Sequence, residues 1–123
     1  MRSHISARYK LQTGEREERQ SSSGIIVSTG VGSTGWLSSL FNMANGMWAS
    51  FGESQATLQR PVLPLDADWL AFVVREPFVS KTSSAGIVGG IIRRESPLRI
   101  EAQMPEGGVI FSDGVESDFL AFN

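Results

Sequence analysis

The chain has 123 residues, of which 41% are hydrophobic and 20% charged, so it can build one domain-sized core and is not disordered. A formal charge of -2, without a stripe of basic residues, argues against a general nucleic-acid binder. Cysteine is absent and His4 is the single histidine, which excludes disulfides, thiolate zinc sites and histidine-based metal clusters.

The polarity of the chain also bears on its location. The longest uncharged stretch, residues 20–52, contains no run of about 18 apolar residues that could span a bilayer. Met1-Arg2-Ser3-His4 leads directly into a polar alternating segment, from which we expect no signal peptide. We therefore expect one soluble, cytoplasmic domain over residues 1–123.

The N-terminal third predicts a hairpin followed by a buried strand. Apolar and polar residues alternate over 5–11, as in a strand with one wet face, and Thr13-Gly14 predicts a turn. The polar segment 15–20 then fits an edge strand. The continuous β-branched run 25–29 predicts a central strand buried on both faces.

A glycine-rich loop over 30–35 leads from this strand into a predicted amphipathic helix. Apolar residues recur at spacings of three and four from Trp36 to Phe51. Ser33 or Thr34 is the predicted helix cap, and Asn45-Gly46 is a candidate early end. On this pattern we expect Trp48 to lie in the core.

The remainder predicts a loop over 49–64 and then short strands. Turn signals, including Gly89-Gly90, separate them about every ten residues, which is typical of a mainly β, antiparallel sandwich-like domain. The apolar, uncharged segment 85–92 is expected to be buried between sheets or between subunits of a homo-oligomer. The predicted strands are 69–74, 87–92, 98–103, 109–112 and 119–122.

The loop allows more than one interpretation from its residues alone. Gly30-x-Gly32-x-x-Gly35 follows a strand and precedes a helix, as in dinucleotide-binding folds, but no second strand ending in an acid follows. A phosphate-binding P-loop would need Lys where Trp36 stands, and a nucleophile elbow would need Gly in place of Val31. A tight structural turn and a nucleotide or sugar contact both remain open.

A longer sequence match helps to choose between these two interpretations of the loop. The string from Ser22 to Trp36, SSGIIVSTGVGSTGW, resembles the substrate loop of ATP-dependent NAD kinases, DGLIVSTPTGSTAY, and is most similar to the mitochondrial-type branch. Arg75-Glu76-Pro77 and Phe111-Ser112-Asp113-Gly114 resemble later family segments in the same order. Gly30 and Val31 stand where the family has Pro-Thr, and Ser23 stands where it usually has Asp.

The resemblance implies that the chain is the C-terminal, NAD-binding, β-rich domain of an NAD kinase-like phosphotransferase. The family's N-terminal α/β domain, which engages ATP with Mg²⁺, would be missing, so the isolated chain is expected to be inactive. Asp113 would be the catalytic-site carboxylate; a turn-forming Asp-Gly is the alternative. The residues implied to bind NAD as substrate are Thr29, Gly32, Ser33, Thr34, Gly35, Trp36 and Ser39.

Two other functional classes remain alternatives at this point. One is the C-terminal domain of a related lipid or sugar kinase, which a hydrophobic acyl pocket would favour over adenine stacking. The other is a non-catalytic oligomerisation or ligand-sensing module. For Trp36 itself, a place in the helix core is the alternative to stacking on adenine. No metal ligand is expected in the chain.

Overall fold

The computed structural model describes residues 6–30, 35–52, 57–59, 64–112 and 116–120, with only the backbone described for 111–112 and 116–120. Over these ranges the fold is mainly β with one helix, in agreement with the sequence prediction. The elements are β1 (Ala7–Thr13), β2 (Arg16–Ser22), β3 (Gly24–Ser28), α1 (Trp36–Phe51), β4 (Leu70–Arg75), β5 (Gly89–Ile92), β6 (Leu98–Ala102), β7 (Gly108–Ser112) and β8 (Glu116–Leu120).

The described strands form two three-stranded antiparallel sheets and a separate hairpin. The first sheet has the order β2-β1-β6, the second has the order β3-β4-β5, and β7 pairs with β8. The predicted hairpin of β1 and β2 is confirmed, and polar β2 lies at a sheet edge as expected. Gly14, with φ 59°, is the first residue of its two-residue turn, a backbone region that glycine adopts without steric cost.

The core lies between the two sheets, which gives the sandwich-like packing. Buried Tyr9 and Leu11 of β1 pack against Phe72 and Val74 of β4, together with Ile87. Because side chains alternate along a strand, the intervening residues of β4 face away from this core. The second sheet therefore has apolar residues on both faces.

Helix α1 covers the outer face of the second sheet. Leu37, fully buried, packs against Ala71 of β4, and Phe41, Val73 and Ile91 surround this contact. The helix continues through Asn45-Gly46, so the early end at that dipeptide is wrong. Asn45 instead holds the segment beside the helix, since its side-chain amide donates to the Leu58 carbonyl oxygen at 3.0 Å and its oxygen accepts from the Leu58 N–H at 2.7 Å.

Two sequence expectations about strands are wrong. β3 lies at an edge of the second sheet instead of its centre, and its Val27 is 48% exposed. Gly89-Gly90 belongs to β5 and is not a turn. A Cβ at Gly90 would lie 3.0 Å from the Phe72 ring, so the close approach of that ring requires glycine within the strand.

The segment 85–92 meets its prediction only in part. Ile87 is buried in the sandwich core, whereas Val88, Gly89 and Gly90 are exposed in this chain. Burial of the segment between subunits stays a prediction.

In the part of the chain that the structure describes, no helix is long and apolar enough to cross a membrane.

Candidate functional site

The strand, loop and helix that carry the family resemblance occur in the predicted order. β3 ends at Ser28, Thr29 and Gly30 lead out of it, and α1 begins at Trp36 after Gly35. Thr29 is exposed at the end of its strand, and Ser39 is exposed one turn into the helix. The first and last residues of the loop thus join the end of a strand to the start of a helix, an arrangement in which backbone N–H groups can meet a ligand.

The N-terminus of α1 has neither a capping side chain nor an acidic residue in its first turn. Gly35 is the N-cap, without a side-chain capping hydrogen bond, and its carbonyl oxygen accepts from the Ser39 N–H at 3.2 Å. The prediction of Ser33 or Thr34 as the cap residue is therefore wrong. The first turn contains no Asp or Glu, so the positive end of the helix dipole is not offset there.

Trp36 lies at the surface and not in the core. Its side chain is 55% exposed, although it directly precedes buried Leu37. The Arg75 guanidinium carbon lies over the indole, 5.2 Å from the ring centroid, which is within the range of cation–π attraction. The core alternative for Trp36 therefore does not hold, and its stacking on adenine stays a prediction.

Arg75, which the sequence named only as part of a family-like segment, also belongs to this site. Arg75 is the last residue of β4. It lies on the strand face that carries Ala71 and Val73, which is the face that α1 covers. The alternation of Trp69, Ala71, Val73 and Arg75 was visible in the sequence and would have placed the arginine on one face with the apolar residues. A second pair, Arg93 over Trp69 at 5.7 Å, lies on the same sheet.

Four of the implied site residues are not placed by the structure. Gly32, Ser33, Thr34 and Asp113 lie outside the described residues. The roles that the resemblance implies for these four residues therefore stay predictions. Of the implied set, the structure brings Gly35, Trp36 and Ser39 together at one helix end, with Thr29 at the end of the preceding strand.

A small cavity on the first sheet is lined mostly by charged side chains. About 110 Å³ in volume, it lies on the outer face of the first sheet and is lined by Lys10, Gln12, Glu17, Arg99 and Glu101. Lys10 forms ion pairs there with Glu17 at 3.7 Å and Glu101 at 3.6 Å. Such solvated pairs contribute little energy, and their charges compensate each other, so this cavity offers no clear preference for a ligand.

The described ranges contain no group of three His, Cys, Asp or Glu side chains that could hold a metal ion.

No protein-family model matches the chain, and no curated protein matches it. The assignment of function therefore depends on the resemblance of residues 22–36 and on the geometry around Trp36.

Proposed function

We propose that this chain is the NAD-binding domain of an NAD kinase-like phosphotransferase, which converts ATP and NAD to ADP and NADP. The observation that carries the proposal is the position of Trp36. This residue ends the string that resembles the family's substrate loop, and its half-exposed ring lies at the start of α1 beside a cation. A surface indole can stack on a base with the part of its ring that solvent reaches, which a core tryptophan cannot.

The residues of the loop suit a nucleoside. The Ser39 hydroxyl, which donates to the Gly35 carbonyl oxygen at 3.4 Å, can still accept a hydrogen bond from a ribose hydroxyl, and Thr29 carries a second hydroxyl at the strand end of the loop. Gly35 has no Cβ, so a ligand can approach the backbone at the helix start closely. Base stacking on an aromatic ring contributes about 1–3 kcal/mol.

The chain would supply binding and orientation of NAD. In-line phosphoryl transfer depends on positioning and on neutralising the charge of the transferred group. In this proposal ATP and Mg²⁺ are bound by the N-terminal domain of the parent protein, which the resemblance implies. Asp113 would stand near the ribose hydroxyl that accepts the phosphoryl group.

Calorimetric titration of the chain with NAD tests the proposal. Trp36→Leu should weaken NAD binding by roughly 5- to 150-fold, since it removes the stacking ring. Trp48→Leu is the matched control, because Trp48 is 49% exposed at the other end of the same helix. Its substitution should leave NAD affinity unchanged. Absence of NAD binding by the wild-type chain, or equal losses for the two variants, would contradict the proposal.

A specific observation favours the non-catalytic association module as a second candidate. Met43, Met47 and Phe51 lie on one side of α1 at four-residue spacing, and all three are exposed. An exposed apolar stripe of this kind is typical of an interaction surface. Self-association of the chain without any NAD affinity would favour this candidate over the kinase-like one.

A further inference from the structure

Arg75 differs from the other arginines of the described chain in its degree of burial. It is partly buried, whereas Arg8, Arg16, Arg19, Arg93, Arg94 and Arg99 are exposed. Removing a guanidinium from water is costly unless an anion or hydrogen-bond acceptors replace the lost hydration. Arg75, held partly out of water beside the Trp36 ring, is therefore better placed than the exposed arginines to bind an anion strongly.

The chain provides no such partner among its described residues. No carboxylate there forms an ion pair with Arg75, and the two ion pairs among the described residues both involve Lys10. The adjacent Glu76 has a φ of 49°, in the left-handed region, and its carboxylate accepts a hydrogen bond from the Ser23 hydroxyl. The nearest acid along the chain is thus engaged elsewhere.

The chemistry of the guanidinium points to a phosphate. An arginine held beside an aromatic ring by cation–π attraction keeps N–H groups that the contact with the ring does not use. These donors match two phosphate oxygens at once, which the single ammonium of lysine does not. The ring below it, Trp36, is the one proposed to stack on adenine.

The position of Arg75 also indicates the length of the ligand. Arg75 pairs with Gly24 at one end of the β3–β4 ladder, while Ser28 pairs with Ala71 at the other and Thr29 follows it. Four residue steps along each strand separate the two ends by roughly 13 Å. A ligand that contacts both ends is longer than one nucleoside, as a dinucleotide is.

From these observations we infer that Arg75 binds the phosphate groups of the dinucleotide, an inference that rests on the proposed function. Arg75 would then be a substrate-binding residue that contacts the phosphate groups of the ligand, while Trp36 contacts the adenine base.

Titrations with three probes separate this role from a structural one. NAD and ADP carry phosphates, whereas adenosine has the base and ribose alone. Arg75→Gln should weaken NAD and ADP binding by about 10-fold or more and change adenosine binding less than about 2-fold, because only a charge-assisted bond is lost. Arg75→Lys should fall between Arg75→Gln and the wild type. Arg93→Gln, which alters the other arginine over a tryptophan, should change none of the three affinities.

Each alternative outcome gives a different answer. NAD binding that Arg75→Gln leaves intact would overturn the role of Arg75 and keep the proposed function. Equal losses for NAD and adenosine would overturn it too, since they would show that Arg75 acts only by holding Trp36. Binding of ADP but not NAD, with the expected dependence on Arg75, would overturn the proposed function and keep the phosphate role. A wild-type chain that binds none of the probes would overturn both. Thermal unfolding of each variant shows whether it is folded.

Discussion

The phenolic oxygen of Tyr9 and the hydroxyl oxygen of Ser22 lie 2.7 Å apart inside the sandwich. They come from the two strands of the N-terminal hairpin, and Ser22 also accepts a hydrogen bond from the Gly24 N–H at 3.0 Å. The pair thus links β1 and β2 to the residue that begins β3. Both side chains are buried, so the hydrogen bond replaces hydration that each hydroxyl loses on folding.

Tyr9 should titrate above the usual range for tyrosine. Burial raises the pKa of Tyr9, the hydrogen bond with Ser22 opposes this, and the negative charge of Glu18 adds to the increase. Tyr9 is the single tyrosine, so tyrosinate absorbance reports on it alone. The absorbance should rise at higher pH in the folded chain than in denaturant, and identical midpoints would contradict this account.

The same pKa difference predicts how stability changes with pH. Below the ordinary tyrosine pKa of about 10 both states are protonated, so this group gives no pH dependence. Above it the unfolded chain loses the proton first, and the free energy of unfolding should decrease until the folded pKa is passed. Tyr9→Phe should remove this part of the decrease, which denaturant titrations at a series of alkaline pH values would measure.

Glu18 should contribute much more to stability than its neighbour Glu17. Its carboxylate accepts from the Ile87 N–H at 2.7 Å and from the Gly86 N–H at 3.3 Å, which holds the segment before β5 against the hairpin. Glu18→Ala should cost about 2 kcal/mol in denaturant unfolding, because it leaves the N–H of buried Ile87 without its acceptor. Glu17→Ala removes only a solvated pair with Lys10 and should cost at most about 0.5 kcal/mol. Comparable losses would show that the contact with 86–87 is not stabilising.

Two glycines should respond to alanine in opposite directions. Gly46 lies within α1 with open space where a Cβ would be, so Gly46→Ala should stabilise the chain by about 0.5–1 kcal/mol. At Gly90 the Cβ would press on the Phe72 ring, and Gly90→Ala should destabilise by about 1–3 kcal/mol. Thermal unfolding of both variants checks the signs. A stabilised Gly90→Ala would show that the Phe72 ring moves freely.

These examples show what the sequence could and could not predict about the fold. Alternation and turn residues predicted the hairpin and the mainly β class, because they reflect local geometry. The composition of β3 says that it is apolar but not which strands pair with it, so the edge position could not be read from it. Gly90 suggested a turn because its real cause, the ring of Phe72, is distant in sequence.

The candidate site, like the fold, could be predicted from the sequence only where local patterns determine it. The strand, loop and helix order followed from local patterns, whereas the exposure of Trp36 and Trp48 depends on which side of α1 the second sheet covers. Only the side around Leu37 is covered, so the expectation that Trp48 lies in the core is wrong. The place of Arg75 at the site was not predicted, because its neighbour there, Trp36, is far from it in sequence.

The chain alone should show no NAD kinase turnover. With ATP, Mg²⁺ and NAD supplied, purified 1–123 is expected to form no NADP, because the proposal places ATP binding in another domain. In a protein that includes both domains, Asp113→Asn should lower turnover by about 100-fold or more, while Thr34→Ala should chiefly raise the KM for NAD. NADP formation by the chain alone would contradict this division of roles.

Binding of NAD at the strand–loop–helix segment is the central claim, and amide and indole NMR signals of the labelled chain test it most directly. On titration with NAD, the Trp36 indole N–H and the Thr29 and Gly35 amides should shift in a saturable way, while the Trp48 indole should not. The account would be contradicted if no signal shifted, or if the shifts clustered around Lys10 and Arg99 on the outer face of the first sheet.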